Sequence, residues 1–139
     1  MRVSTRGRYG VNAVFELALR YGEEPMSLKT IAERQCIPLP YLEQLIIKLR
    51  KSGIVKSVRG AKGGYSLLIS PDELTIHDVL TILEGDLAPV HCKDVDDDGC
   101  EHKKDCAGHY VWSKVHESVK HIMETYTFRK LIEDYNNGV

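Results

Sequence analysis

Hydrophobic positions recur every three to four residues along the first fifty residues, which is the spacing of amphipathic helices. The first stripe, over residues 9–21, consists of Val11, Val14, Phe15, Ala18 and Tyr21. A second, shorter stripe follows Ser27, a good N-cap residue, and consists of Leu28, Ile31 and Ala32. The third begins near Pro40, which suits the first position of a helix, and consists of Leu42, Leu45, Ile46 and Leu49. The sequence therefore predicts three helices, with a tight turn at residues 36–39.

The pattern changes from helical to strand-like after the third helix. Residues 54–59 and 65–69 are short apolar runs, and the glycine-rich segment 60–64 joins them. Two short helices joined by a tight turn form a helix-turn-helix, and a basic hairpin directly after it indicates the winged variety. The alternative is that the glycines form only a plain hairpin turn and not a DNA-contacting wing. A phosphate-binding P-loop is excluded, because no Gly-Lys-Ser/Thr and no helix follow.

The second half of the chain is predicted to be helical. Thr75 and Asp78 resemble a capping box, and the helix that they begin, with Ile76, Val79, Leu80 and Leu83 on its inner face, ends at Gly85. Further on, apolar residues recur with spacings of 3, 4, 3 and 4, a heptad seam formed by Trp112, Val115, Val119, Ile122 and Tyr126. The seam is too short for a free coiled coil, so a helix packed on its own domain is the alternative. A dimer helix is favoured because a symmetric operator requires a twofold protein. A last helix from Thr127 is expected to fold back on the assembly.

Charge is distributed unevenly although the net charge is only −1. Residues 1–70 carry 12 Lys and Arg against 5 Asp and Glu, whereas residues 71–139 carry 7 against 15. This asymmetry indicates a nucleic-acid-facing surface on the first half. The residues expected to read base edges are Tyr41, Glu43 and Gln44. Those expected to contact phosphates are Lys48, Arg50, Lys51, Arg59 and Lys62. Arg50 is alternatively an ion-pair partner, and Arg59 alternatively enters a minor groove.

Three thiols and an imidazole lie within eighteen residues, at Cys92, Cys100, Cys106 and His109. Such a set completes four ligands for either tetrahedral Zn²⁺ or an iron–sulfur cluster, and the spacing alone leaves that choice open. His91 and His102 are alternative fourth ligands, and His109 is preferred because it begins the seam helix. Cys36, in the helix-turn-helix turn, is expected to be a small buried residue. No general base or nucleophile set accompanies these cysteines, so an enzyme is not expected.

The length of 139 residues suits one domain with an appended helical arm. The predicted organisation is a winged helix-turn-helix over residues 1–85, a Cys-rich ligand loop over 86–109, and a dimerisation helix with a C-terminal helix over 110–139. No run of about 18 apolar residues exists to span a membrane. The N-terminus has no apolar signal core, so a cytoplasmic location is expected.

Several short motifs in order resemble one known family. They are Met-Arg-Val-Ser-Thr-Arg-Gly-Arg-Tyr at residues 1–9, Tyr-Leu-Glu-Gln-Leu at 41–45, Ser-Val-Arg-Gly at 57–60 and Gly-Gly-Tyr at 63–65. These resemble winged-helix transcription regulators, the family that includes the iron–sulfur cluster regulator (IscR), the cysteine-metabolism repressor (CymR) and the nitric-oxide-sensing repressor (NsrR). The resemblance implies a homodimer that binds a double-stranded operator of twofold symmetry, with a long helix at the interface.

Within that family the Cys-rich segment looks most like the IscR branch. The resemblance implies a [2Fe-2S] cluster whose ligands here are Cys92, Cys100, Cys106 and His109. The seven residues between the first two cysteines are a departure from the expected spacing, which a longer loop tolerates. A [4Fe-4S] site of the nitric-oxide branch is disfavoured, because residues 7–9 supply no Asp ligand. A zinc site and a cluster-free, thiol-based repressor of the cysteine-metabolism type are the alternatives.

Overall fold

The computed structural model describes residues 2–88 and 102–138 of the chain. Within those ranges it contains six helices and one two-stranded antiparallel sheet, which confirms the predicted class, mainly helical with a small hairpin wing. None of these helices combines the length and apolar character needed to cross a membrane. In chain order the elements are α1 (Thr5–Leu19), α2 (Leu28–Gln35), α3 (Leu39–Lys51), β1 (Val55–Val58), β2 (Gly64–Leu67), α4 (Ile76–Glu84), α5 (Ala107–Thr125) and α6 (Phe128–Asn137).

Helix α1 begins four residues earlier than the hydrophobic stripe predicts, because its first turn is held by polar contacts. The Ser4 side chain caps the helix, and the Glu84 carboxylate of α4 accepts a hydrogen bond from Gly7 N at 2.9 Å. The two helices lie close together at Gly7 and Gly10. A Cβ on Gly7 would overlap Glu84 Oε1, and one on Gly10 would overlap the Leu83 side chain. Glycine at both positions therefore allows α4 to pack this close to α1.

The helix-turn-helix forms as predicted. Ser27 caps α2 through Thr30 N, and the four inward positions of α3 are all buried in the core. Buried Glu16 of α1 anchors the end of α2, since its carboxylate accepts a 2.6 Å hydrogen bond from Gln35 and pairs with Arg34 at 3.3 Å. The prediction that Cys36 is buried is wrong. Cys36 caps α2 in the left-handed conformation and is exposed, whereas Ile37 takes the buried position of the turn.

The wing is a short hairpin docked on the connection between α1 and α2. Strand β1 pairs antiparallel with β2, from Val55 opposite Leu67 to Val58 opposite Gly64. Strand β1 lies within its predicted run, whereas β2 begins one residue before its run, at Gly64, which the sequence predicts to belong to the loop. Tyr65 and Met26 exchange backbone hydrogen bonds of 2.8 and 3.0 Å. Gly64 has φ +150°, and a Cβ there would lie 2.5 Å from Met26 O. The backbone contact at Gly64 and Tyr65 thus fixes the wing against the helical body.

The C-terminal helix completes the core of the winged unit, the part of the chain from α1 to α4. Helix α4 has the predicted capping box and ends at Glu84, with Gly85 as its C-cap. After α5 the chain returns to the start of α4, where Phe128 N donates to Leu74 O at 2.9 Å and Ile76 N donates to Tyr126 O at 3.0 Å. Helix α6 then packs on α1, with Phe128 fully buried. Arg129 hydrogen-bonds Asp72 at 3.0 Å and thereby lowers the pKa of that carboxyl.

Replacing Phe128 with alanine is expected to lower the free energy of unfolding by about 3–5 kcal/mol, because a fully buried aromatic ring is lost and a cavity is left. Urea unfolding at one fixed protein concentration measures this. The matched control is Glu133→Ala on the exposed side of the same helix, which is expected to change the value by less than about 0.5 kcal/mol. Equally small effects of the two substitutions would contradict a core position for α6.

Candidate nucleic-acid interface and metal-ligand segment

Helix α3 presents one polar, mostly basic face to solvent. Its core-facing residues recur at helical spacing, so the remaining positions must lie on the opposite side. The exposed side chains on that side include Glu43, Gln44, Lys48, Arg50 and Lys51. Among the described residues, no carboxylate forms an ion pair with Arg50, so the alternative of a structural ion-pair partner gains no support there. Five of the eight residues expected to contact DNA therefore form one continuous surface on α3.

Tyr41 differs from the other outward residues of α3 because it is half-buried. Its ring packs edge-on against Tyr9 of α1, with ring centroids 5.6 Å apart and planes at 87°. Aromatic pairs in this geometry stabilise beyond the area that they bury. Tyr41 thus fixes the start of α3 against α1, a contact that the helical pattern of α3 by itself does not reveal.

Basic residues at the start of α1 extend the α3 surface, and sequence reasoning missed them. Arg6 lines a shallow depression together with Tyr41, Gln44 and Lys48 of α3, and its guanidinium donates to Leu83 O at 3.3 Å. Arg8 is exposed, and its guanidinium donates a 3.4 Å hydrogen bond to the hydroxyl of Thr5, one turn earlier in α1. The signal was present in the basic first eight residues, but they precede the hydrophobic stripe from which α1 was predicted.

The wing adds two exposed cations, Arg59 and Lys62. Lys62 Nζ lies 3.9 Å from Glu24 Oε1, and the two side chains are 86% and 70% exposed. Ion pairs this exposed contribute little to stability, so a phosphate can replace the carboxylate at low cost. The wing and the α3 face together have the charge of a surface that binds a phosphate backbone.

Half of the predicted ligand set is described by the structure. Cys92 and Cys100 lie outside the described residues, as does His91. Cys106 is the N-cap of α5, is exposed, and makes no side-chain capping hydrogen bond. His109 follows one turn later on the same helix face and is half-buried, with its ring centroid 5.8 Å from that of Tyr110. Within the described ranges no three His, Cys, Asp or Glu side chains are close enough to hold a metal ion.

The surroundings of Cys106 suit a thiolate ligand. Cys106 Sγ is exposed, and a Cβ on Gly108 would lie at van der Waals distance from it, 3.7 Å, and from Trp112 Nε1, 3.4 Å. The N-terminus of a helix also favours negative charge, because the first backbone N–H groups have no partner within the helix. A thiol and an imidazole on the first turn of α5 are therefore compatible donors for zinc or for an iron–sulfur cluster.

The heptad residues of α5 do not share one environment. Trp112, Val115 and Ile122 are exposed apolar side chains, and no residue of α5 is buried within the described chain. Val119 is half-buried beside α4. Tyr126 lies at the junction with α6 and hydrogen-bonds Asp134, which raises the pKa of the tyrosine. Sequence reasoning missed Val111, exposed one turn before Val115, which extends the apolar surface toward Cys106.

Comparison with known proteins identifies related chains. Residues 3–134 match the family described as Rrf2, iron-dependent transcriptional regulator. The transcriptional regulator CymR of Bacillus subtilis is 40% identical over 99% of this chain and 94% of its own length. The structure of that global cysteine regulator has a TM-score of 0.81, covering 94% and 95% of the two chains at 39% identity.

Relatives of the other branch are similar over a comparable length. IscR of Erwinia tasmaniensis is 36% identical over 96% of this chain and 80% of its own length. The structure of T. potens IscR has a TM-score of 0.77 at 43% identity, covering 97% and 88% of the two chains. These relatives are named transcriptional regulators, not enzymes.

The Glu43→Ala substitution is expected to broaden the range of operators bound. A carboxylate on the exposed face of α3 can accept a hydrogen bond from cytosine N4, and losing one good base contact relaxes discrimination by about tenfold. Relative affinities across a panel of operator variants measure this. The control is Glu33→Ala, an exposed carboxylate on α2, which is expected to change all affinities by one common factor. Unchanged relative affinities for Glu43→Ala would count against base readout by Glu43.

Proposed function

The chain belongs to the Rrf2 family of DNA-binding transcriptional regulators, and on that premise we propose that it is a homodimeric sensor whose operator binding depends on a [2Fe-2S] cluster. The proposed ligands are Cys92, Cys100, Cys106 and His109. The observation that carries the proposal is the placement of Cys106 and His109 at the start of α5, with the Cys106 thiol exposed. When bound, the cluster supplies redox-active iron at the start of that helix.

The proposed ligand set suits a sensor because of its histidine. Imidazole is neutral where a thiolate is charged, so it raises the reduction potential of a cluster. Metal ligands must also be deprotonated, so binding through His109 is lost at low pH. A cluster held in this way responds to its surroundings more readily than one held by four thiolates.

DNA is proposed to lie against the face shared by α3, the wing and the start of α1. Tyr41, Glu43 and Gln44 would read base edges in the major groove, with Tyr41 also holding α3 against α1. The proposed phosphate contacts are Lys48, Arg50, Lys51, Arg59 and Lys62, and the structure adds Arg6 at the same surface. Salt-dependent affinity is expected from this number of cations.

Dimerisation is proposed to bury the exposed apolar side of α5. Support comes from the row of apolar side chains that the rest of the described chain leaves uncovered, and from the twofold symmetry that an operator of two half-sites requires. The proposed interface residues are Trp112, Val115, Val119, Ile122 and Tyr126. The hydrogen bond from Tyr126 to Asp134 means that this residue would also couple the interface to α6.

The two ends of α5 differ in a way that supports a switch. Its C-terminal end is fixed to the start of α4 by the hydrogen bonds of Ile76 and Phe128. Its N-terminal end carries Cys106 and His109. Within the described residues, no other helix or strand makes backbone hydrogen bonds to that end. Ligation there would fix the angle between α5 and the winged unit and hence the half-site spacing that the dimer meets, an order–disorder type of control.

A cluster-free or zinc-stabilised repressor of the cysteine-metabolism type is the second candidate. The observation that favours it is the 40% identity to CymR over nearly the whole chain, which matches the similarity to the IscR proteins. This candidate shares the DNA surface and the dimer with the first one. It differs only in what Cys92, Cys100, Cys106 and His109 bind.

The visible absorption spectrum of protein purified without oxygen tests the proposal, with iron, sulfide and zinc counted per chain. Brown protein with equal iron and sulfide is expected, and Cys92→Ala should bleach it because one ligand is lost. Cys36→Ala is the matched control, since this exposed thiol lies in the turn before α3 and should leave the spectrum unchanged. Colourless protein with one zinc per chain would favour the second candidate.

DNA binding by loaded and cluster-free protein tests the switch itself. We expect the two forms to rank a set of operators with different half-site spacings differently, as measured by titration at one salt concentration. Equal affinities of both forms for every operator would contradict control by the cluster, while leaving the DNA-binding surface in place.

A further inference from the structure

An isoleucine stands in the middle of the polar face of α3. Ile47 is 43% exposed, although the preceding residue, Ile46, is only 2% exposed and belongs to the core. Each residue of an α-helix is rotated by about 100° from the one before it. Ile47 therefore points away from the direction shared by the buried side chains of α3, namely Leu42, Leu45, Ile46 and Leu49.

The neighbours of Ile47 on the helix surface are all polar. Glu43 and Gln44 lie one turn before it, and Arg50 and Lys51 lie one turn after it. No packing within the described chain accounts for an apolar side chain here, and a β-branched residue is not favoured by helix propensity at an exposed position. A base pair that contacts this polar face of α3 in a complex with DNA therefore also contacts Ile47.

We propose that Ile47 is a specificity-determining residue that recognises thymine through its C5 methyl group. Thymine alone among the four bases presents a methyl group in the major groove, and it is read by apolar contact. The inference rests on the proposed function, because it takes α3 as the element that lies in that groove. Removing one methyl group of this size from water is expected to strengthen binding about fourfold.

The position of Ile47 also predicts where the thymine lies. Glu43 and Ile47 are one helical turn apart, about 5.4 Å along the axis. Successive bases along one strand are about 3.4 Å apart. The thymine is therefore expected one or two base steps from the cytosine that Glu43 reads.

Replacement of thymine by deoxyuridine tests the assignment, because it removes the methyl group and leaves the hydrogen-bonding edge intact. A duplex operator is first selected from random sequence with the anaerobically purified protein. Each thymine of one half-site is then replaced singly, and affinities are measured by titration. The wild-type protein is expected to bind one of these duplexes about fourfold more weakly than the parent.

Variants assign that effect to its residue. Ile47→Ser is expected to bind the thymine and deoxyuridine duplexes equally, and Ile47→Val is expected to keep the preference, since it retains a branched apolar surface. Leu19→Ser is the matched control, a comparably exposed leucine at the end of α1, and should keep the full preference. Thermal unfolding of each variant checks that the fold is retained.

Two results would overturn the assignment. One is a wild-type protein that binds every deoxyuridine duplex as tightly as the parent operator. The other is a folded Ile47→Ser variant that keeps the thymine preference. Failure of the wild-type protein to select any sequence would overturn the placement of α3 in the groove as well, and is thereby distinguished from failure at Ile47 alone.

Discussion

The described structure depends on one carboxylate, Glu84, at the meeting point of its first and fourth helices. Glu84 Oε1 accepts hydrogen bonds from Ser4 N at 3.1 Å and Gly7 N at 2.9 Å, and also from the Ser4 hydroxyl. It supplies negative charge where the N-terminus of α1 favours it, a contact of the kind that typically contributes about 0.5–2 kcal/mol. The contact needs the close helix approach that Gly7 permits. It also orients the first turn of α1, which carries Arg6 and Arg8.

Glu84 is the last residue of α4, so this contact lies directly before the segment that carries the proposed ligands. The chain leaves α4 at Gly85 and reaches Cys106, the N-cap of α5, so one segment joins the end of α4, which contacts the start of α1, to the start of α5, where two of the proposed ligands lie. At its other end α5 is fixed to the winged unit through residues 74–76 and 126–128. A long, largely exposed helix fixed at one end is suited to transmit a change at its other end to the proposed DNA-binding surface.

The packing of the core determines which residues of α3 are available for the proposed DNA surface. Four inward positions of α3 fix its rotation, and the edge-on contact between Tyr9 and Tyr41 fixes its start. Every other residue of the helix then has an assigned direction, including the unexpected apolar one at Ile47. Of the residues proposed to contact bases, Glu43, Gln44 and Ile47 are ones that the core leaves exposed, so these side chains can change without cost to the core. Tyr41 differs, because it also packs on Tyr9.

The sequence by itself determined what is local: the helical stripes, the caps at Ser27 and Thr75, and the hairpin, because each depends on residues a few positions apart. It also determined the donor types of the proposed ligand set, but not which group they would hold, since thiolate and imidazole suit both zinc and an iron–sulfur cluster. Only the tertiary structure decided the early start of α1, the packing of Tyr41 and the hydrogen bond of Tyr126. Their partners, Glu84, Tyr9 and Asp134, are supplied by other helices, and hydrophobic periodicity records which side of a helix is buried but not what lies against it.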